Sequence, residues 1–484
     1  MSVSVGSAFL DELRGALPRL RLLTAAEDVE AYRFDETEYL HPGHPLGVVF
    51  PESTAEVSTI VRLAAGHRVP LVPRGAGSGL SGGAIAVEGA LSVVMTRMNH
   101  IVEIDVDNQL AVVEPGVIIA DFGRAVAEKG LFYPPDPASF EICSLGGNLA
   151  ENSGGLRCVK YGVTRDFVMG LEVVLADGSV INTSGRTVKD VMGYDLTHLF
   201  IGSEGTLGII TQATLRLLPL PPPKLTLLAF FSTVRDAGDA VARMARAGVI
   251  PVTLELMDRT TIQAVDAALH VGLDPDAGAM LMIESDAGGS AAEHELDRAG
   301  EACTAAGATS LLRSADPAEA DWLREARRKA HWSLEQAGVA RMEDVGVPRS
   351  RGPELLAAIE RISAQHGMKV GVFGHAGDGN FHPTFVMDRN DPEAERRINA
   401  ARDDIFREVL ALGGTISGEH GTGVAKRGYL VDQRGRDAVG VMRAIKQALD
   451  PLGILNPGKL LPEPDEFPNR VDRARIGRGL APPQ

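Results

Sequence analysis

A chain of 484 residues is too long for one ordinary hydrophobic core, so two or three domains are expected. Hydrophobic residues at 44% and charged residues at 23% are the balance of a globular chain, and a net charge of −16 argues against a nucleic-acid partner, which calls for a basic surface. The three cysteines, Cys143, Cys158 and Cys303, are widely spaced; they offer no disulfide framework and no cysteine-type zinc site, and they fit a reducing compartment.

The chain opens on a helical pattern in which Phe9, Leu10, Leu13 and Leu17 share one face. Asp11 and Glu12 lie inside that pattern, which does not read as a signal peptide. No apolar run approaches the roughly 18 residues of a membrane span. A cytoplasmic enzyme without a membrane span is therefore expected, with attachment to a membrane through another subunit left open. Ser53-Thr54-Ala55-Glu56 is a capping-box signature. It opens a helix whose buried stripe is Val57, Ile60, Val61 and Ala64, with Gly66 as its end. A strand over 69–72 leads into Pro73-Arg74-Gly75-Ala76-Gly77-Ser78-Gly79-Leu80-Ser81-Gly82-Gly83.

Gly77, Gly79 and Gly82 match G-x-G-x-x-G, but the nicotinamide-type reading requires a helix directly after the loop. Residues 90–95 read instead as a strand. The glycines let successive backbone N–H groups converge on an anion, and Arg74 adds charge, so a pyrophosphate bound by a loop is expected. Strands over 102–105 and 110–114, a helix over 121–129 and a stiff extended segment over 133–137 follow. Residues 144–155 read as a second Gly-rich loop and 202–208 as a third, the latter leading into a strand over 209–217. Loops of this kind in one domain suggest a large, flat, polar ligand wrapped by backbone.

Pro219 and the prolines at 221–223 form a stiff linker, and a domain boundary is placed there. Beyond it strands over 225–231, 252–256 and 280–284 alternate with helices over 236–247, 261–269 and 291–306, which suggests an α+β sheet domain with helices on one face. One helix over 321–335 carries Arg324, Arg327 and Arg328, which read as a solvated face. Then comes Gly374-His375-Ala376-Gly377-Asp378-Gly379-Asn380-Phe381-His382-Pro383. Its glycines exclude a helix, so a tight turn is expected to fold His375 and His382 toward one point. Gly413–Gly423 is again Gly-rich and holds Glu419 beside His420. Two histidines and one carboxylate are the ligand set of an open divalent-metal site, which leaves His420 as a proton acceptor. Asp378 and Asn380 are candidates for orienting the histidines. A helix is expected to include 445–449, and the polar tail after Pro462 is expected to fray.

Six ordered stretches, 73–83, 135–155, 202–210, 374–383, 413–423 and 456–459, resemble the FAD-linked D-2-hydroxy acid dehydrogenases. That family takes in D-lactate and D-2-hydroxyglutarate dehydrogenases and the flavin subunit of glycolate oxidase, flavoproteins of the vanillyl-alcohol-oxidase type. The resemblance covers residues 40–462. It implies an α+β fold: a two-part FAD-binding domain over 1–219 with its core at about 40–219, then an α+β cap domain with an antiparallel sheet over 220–462 that returns to the flavin, and a tail over 463–484. It implies that Arg74, Gly75, Ala76, Gly77, Ser78, Gly79 and Leu80 hold the FAD pyrophosphate. Pro135, Asp136, Ser139, Ser144, Gly147, Asn148, Asn152, Gly154 and Gly162 would line the rest of the cofactor with Glu204, Gly208, Ile210 and Asn456. It also implies that His375, His382 and Glu419 bind a divalent metal, zinc in most relatives, that His420 is the base, and that Arg327 grips the substrate carboxylate.

Some relatives attach FAD covalently through a histidine in the first loop. Ser78 stands in that part of the loop here, so noncovalent FAD is expected. Relatives acting on D-2-hydroxyglutarate carry a lysine near Met342, which directs the expectation to a smaller D-2-hydroxy acid, D-lactate first. The runner-up substrates are D-2-hydroxyglutarate and glycolate. The competing classes are a non-redox flavoprotein of the same superfamily and a colourless metal-dependent hydrolase. The electron acceptor is not legible in the sequence; a cytochrome, a quinone, an electron-transfer flavoprotein or oxygen is compatible with it. Oligomeric state is not legible in the sequence, a homodimer being compatible with it.

Overall fold

The structure, a computed structural model, describes residues 3–37, 39–314 and 317–462. The tail expected to fray lies outside the described residues. The chain divides into two compact units. Of the described residues, 163–220 and 419–462 join the N-terminal 154 residues in one unit; 155–162 and 221–418 make up the other.

The first unit holds two sheets. One has four strands in the order Arg21–Leu23, Gly47–Phe50, Leu91–Val94, Leu71–Arg74, the last two pairings parallel. The helix Thr54–His67 links the second and fourth of these strands. Ser53 caps it by accepting from the Glu56 N–H, and Glu56 Oε2 in return accepts from the Glu52 N–H. Arg68, in the left-handed region, ends it two residues beyond Gly66. Val57, Ile60, Val61 and Ala64 are buried against Phe9, Leu10 and Leu13 of the first helix. Residues 454–456 return to the edge of this sheet: Leu71 donates to the Ile454 carbonyl and Asn456 to the Leu71 carbonyl. The second sheet is antiparallel, in the order Ile101–Asp105, Leu110–Val113, Ile209–Arg216, Val168–Val174, Val180–Asn182.

Residues 145–151, expected as loop, form a helix. Ser144 Oγ accepts from the Gly147 N–H at its start, Asn152 in the left-handed region ends it, and Leu145 and Leu149 give it a buried stripe. Gly146 packs flat on Pro115: a Cβ there would stand 2.6 Å from the Pro115 Cβ. The glycine that reads as loop is what lets the helix approach.

The second unit is one antiparallel sheet in the order Ala308–Ser314, Leu225–Phe231, Ala279–Ser285, Thr253–Asp258, Lys369–His375, Asn380–Met387, Val339–Met342. The short strand Val345–Gly346 also pairs with Asn380–Met387. The expected arginine helix is two helices, Pro317–Arg328 and Ala330–Gln336. Lys329 between them leaves helical geometry (ψ 7°), and the second helix packs on Arg259–Leu269.

Candidate active-site residues

In the first unit a cleft is lined by the loop Pro73–Gly79, the start of helix 145–151 and the turn before Ile209. Gly77 has φ +85°, and a Cβ on it would stand 2.0 Å from the Arg74 guanidinium. Arg74 is itself buried and donates to the carbonyls of Phe34 and Ala84, so its main visible work is to brace the loop. Asn148 Nδ2, also on the cleft, is buried with no hydrogen-bond partner. A glycine-rich cradle, the amides at a helix start and an orphan amide donor suit a polar, anionic ligand such as a dinucleotide.

Of the residues expected at the cofactor, Arg74, Gly75, Ala76, Gly77, Ser78, Gly79, Ser139, Ser144, Gly147, Asn148, Glu204, Gly208 and Ile210 line this cleft. Leu80, Pro135, Asp136, Asn152, Gly154 and Asn456 are not in its wall, and Gly162 belongs to the other unit. Asn152 is spent on ending the helix and accepting from the Arg165 N–H. Asn456 Nδ2 bridges the carbonyls of Gly83 and Glu204, tying the chain return to two walls of the cleft.

Sequence reasoning missed a buried carboxyl pair here. Glu204 accepts from the N–H groups of Thr422 and Gly423, and burial pushes its carboxyl up to about 6. Glu151 Oε2 is buried without a partner, and burial, reinforced by the charges of Glu204 and Asp35, holds its carboxyl well above the usual range. Lys459 lies nearby, donating to the carbonyls of Gly82 and Ile85, with burial pushing its ammonium down to about 8.

In the second unit His375 and His382 sit on the two strands of a hairpin, with residues 376–379 as its turn. The sequence suggested a turn carrying both imidazoles; the strands carry them. The register pairs Phe373 with His382 and His375 with Asn380. Alternation then puts His375, Phe373 and His382 on one face, and the imidazole centroids are 5.3 Å apart. Both are buried. The neighbouring strand pairs Leu256 with Gly374, so one step further Glu255 stands opposite His375. Glu255 Oε1 lies 2.7 Å from His375 Nδ1. An ionised carboxylate can only accept, so this contact places the His375 proton on Nδ1. Burial pushes Glu255 up, but His375 and Arg327 more than offset that and hold it below the usual carboxylate range.

Arg327 is buried, its guanidinium over the Phe373 ring at 4.8 Å and 2.5 Å from Glu255 Oε2. The contact is an ion pair without hydrogen-bond alignment: Arg327 Nε and Nη2 lack hydrogen-bond partners. Arg324, in contrast, is committed to Glu284 and Asp321. His382 Nδ1 lies 3.9 Å from Asp344, which accepts from Asn380 Nδ2 and from the N–H of Gly418. Asn380 thus acts through Asp344, while Asp378 accepts from the Asn380 N–H within its own turn. Glu419 follows Gly418 directly. In the first unit its carboxylate lies 3.8 Å from His420 Nε2. The sequence signal for Glu255 was a lone carboxylate in the apolar run Val252–Leu256.

Two family descriptions match this chain: "FAD binding domain" over residues 45–184 and "FAD linked oxidases, C-terminal domain" over 220–460. The chain is 45% identical over 430 residues to the glycolate oxidase subunit GlcD of Bacillus subtilis, covering 89% of this chain and 91% of that one. It is 33% identical over 458 residues to a D-lactate dehydrogenase of Anaerostipes hadrus, covering 91% and 94%. The solved structure of p-cresol methylhydroxylase with substrate bound superposes with a TM-score of 0.80 at 17% identity, covering 95% of this chain and 97% of that one. That likeness shows the fold, the vanillyl-alcohol-oxidase type. The protein is an FAD-linked oxidoreductase. It belongs to the family that contains the glycolate oxidase subunit GlcD and D-lactate dehydrogenase. Among the described residues no helix is long and apolar enough to cross a membrane.

Proposed function

We propose that the protein oxidises a small D-2-hydroxy acid, D-lactate first, to the 2-oxo acid, with noncovalent FAD and a divalent metal. The observation that carries the metal reading is the buried hairpin pair His375 and His382, with the proton of His375 held on Nδ1 by Glu255. Adding Glu419 gives the two-histidine, one-carboxylate donor set of a catalytic zinc site. Gly418, hydrogen-bonded to Asp344, anchors the backbone immediately before Glu419.

FAD held at the first-unit cleft would supply the hydride acceptor, and a metal held by His375, His382 and Glu419 would supply Lewis acidity toward the hydroxyl. The chain's own residues do the rest. Arg327 presents its guanidinium, with Nε unfilled, to the substrate carboxylate, a grip that fixes the carbon 2 hydrogen. His420 takes the hydroxyl proton; removing such a base typically costs roughly 10²–10⁴ in rate. Phe373 supports the Arg327 plane from its other side. Ser78 in the first loop supports noncovalent FAD, held by the loop Arg74–Gly79. Glycolate is the second reading, favoured by the 45% identity to the Bacillus subtilis subunit of that name. We assign the transfer of electrons onward to a cytochrome, quinone or electron-transfer flavoprotein.

The test is metal analysis alongside turnover. His382→Ala is expected to lose the metal and the activity while keeping FAD. A His382→Ala protein with full metal and full rate would refute the ligand set. A His420→Ala protein with metal and unchanged turnover would remove His420 as the base.

A further inference from the structure

Glu255 is 1% exposed and lies between two groups that the proposed chemistry uses separately. Its Oε1 meets His375 Nδ1 at 2.7 Å, and its Oε2 meets the Arg327 guanidinium at 2.5 Å. It stands in the run Thr253–Asp258, whose other members from Thr253 to Met257 are also buried. A carboxylate so placed is costly to desolvate and is retained only with partners. Both of its partners are buried side chains, and neither is needed to hold the strand, whose backbone pairs on both sides. A leucine would fill the position at lower desolvation cost, so the placement points to what Glu255 does for its partners.

We propose that Glu255 is a positioning residue that joins the metal ligand His375 to the carboxylate-binding Arg327. This rests on the reading of the metal site and of Arg327 given above. One oxygen fixes the tautomer and ring plane of His375, so that Nε2 faces the ligand position. The other holds the Arg327 guanidinium through Nη2, in place over Phe373, with Nε unfilled. The single negative charge also balances the arginine. A carboxylate already beside Arg327 repels a further anionic group there, which favours a monocarboxylic hydroxy acid.

The two oxygens can be separated by substitution. Glu255→Gln keeps an oxygen acceptor for His375 Nδ1 but removes the charge facing Arg327. Glu255→Leu removes both. Zinc affinity of the FAD-loaded, metal-stripped protein is measured by competition with a chromophoric chelator, and kcat and KM for D-lactate, glycolate and a dicarboxylic D-2-hydroxy acid are measured on the zinc-loaded protein. Outer-shell partners of metal-bound histidines typically carry about 10–100-fold in metal affinity or activity. Glu255→Leu is expected to lose zinc affinity within that range. Glu255→Gln is expected to lose less zinc affinity but to change KM, and to improve relative turnover of a dicarboxylic D-2-hydroxy acid over D-lactate.

Wild-type zinc affinity in both variants, with unchanged KM, would overturn the proposal. A purely structural role would lower the melting temperature and leave zinc affinity and the KM ratio in place, which also overturns it. If Glu255→Leu does not fold, the Glu255→Gln measurements decide alone. The controls separate the layers. Wild-type protein that binds no zinc, or a His382→Ala variant that binds it as wild type does, removes the metal reading itself. Tight wild-type binding lost in His382→Ala but retained in both Glu255 variants removes only the inference about Glu255.

Discussion

Glu151 Oε2 has no hydrogen-bond partner, while Glu204 beside it has two backbone donors. Asp35 adds a further negative charge to that neighbourhood, and Lys459, itself near Arg427, supplies the countering positive one. Burial first, then Glu204 and Asp35, favour the neutral Glu151 carboxyl in the folded state. A carboxyl whose folded value is raised holds its proton more tightly folded than unfolded. Its contribution to stability is therefore full below the unfolded value, about 4.3, and is lost as pH rises toward the folded one. Glu151→Gln keeps the shape and cannot ionise. It is expected to melt with wild type near pH 4.5 and at higher temperature than wild type from neutral pH upward. Parallel melting curves across the range would contradict this. The sequence made Glu204 legible as part of a Gly-rich motif. It did not reveal Glu151 or Glu255, because their roles come from what distant segments bring beside them: residue 204 in one case and residues 327 and 375 in the other.

At the scale of elements, the regular periodicities were readable and the glycine-rich segments were not. The strand Leu225–Phe231 and the stripe of helix Thr54–His67 follow from side-chain period alone. Helix 145–151 does not, since two glycines early in it lower its intrinsic preference, and its stability comes from the Ser144 cap and from packing. Gly146→Val tests that packing. Its side chain must displace Pro115, at a cost of about 1–3 kcal/mol by the usual overpacking scale, and should weaken FAD retention because the helix start lines the cleft. Unchanged melting and FAD content would contradict the packing argument. The arginine helix shows the opposite failure. Its periodicity runs on through Lys329, but tertiary packing of Ala330, Ser333 and Leu334 turns the chain there. The hairpin of His375 and His382 was legible as a meeting of two imidazoles, though the glycines that suggested a turn serve to join two strands.

For the whole molecule, the order of motifs along the chain carried the family, and the matches over 45–184 and 220–460 agree with it. Neither fixes the substrate, because small 2-hydroxy acids differ by a few atoms that only a few side chains read. The most direct test of the central claim is the visible spectrum of the purified protein under anaerobic conditions, before and after D-lactate, with and without a metal chelator. The claim of metal-assisted hydride transfer predicts that D-lactate bleaches the flavin band and that prior chelation prevents bleaching, with zinc restoring it. A flavin band that neither D-lactate nor glycolate bleaches, or bleaching that persists after complete removal of metal, would contradict it.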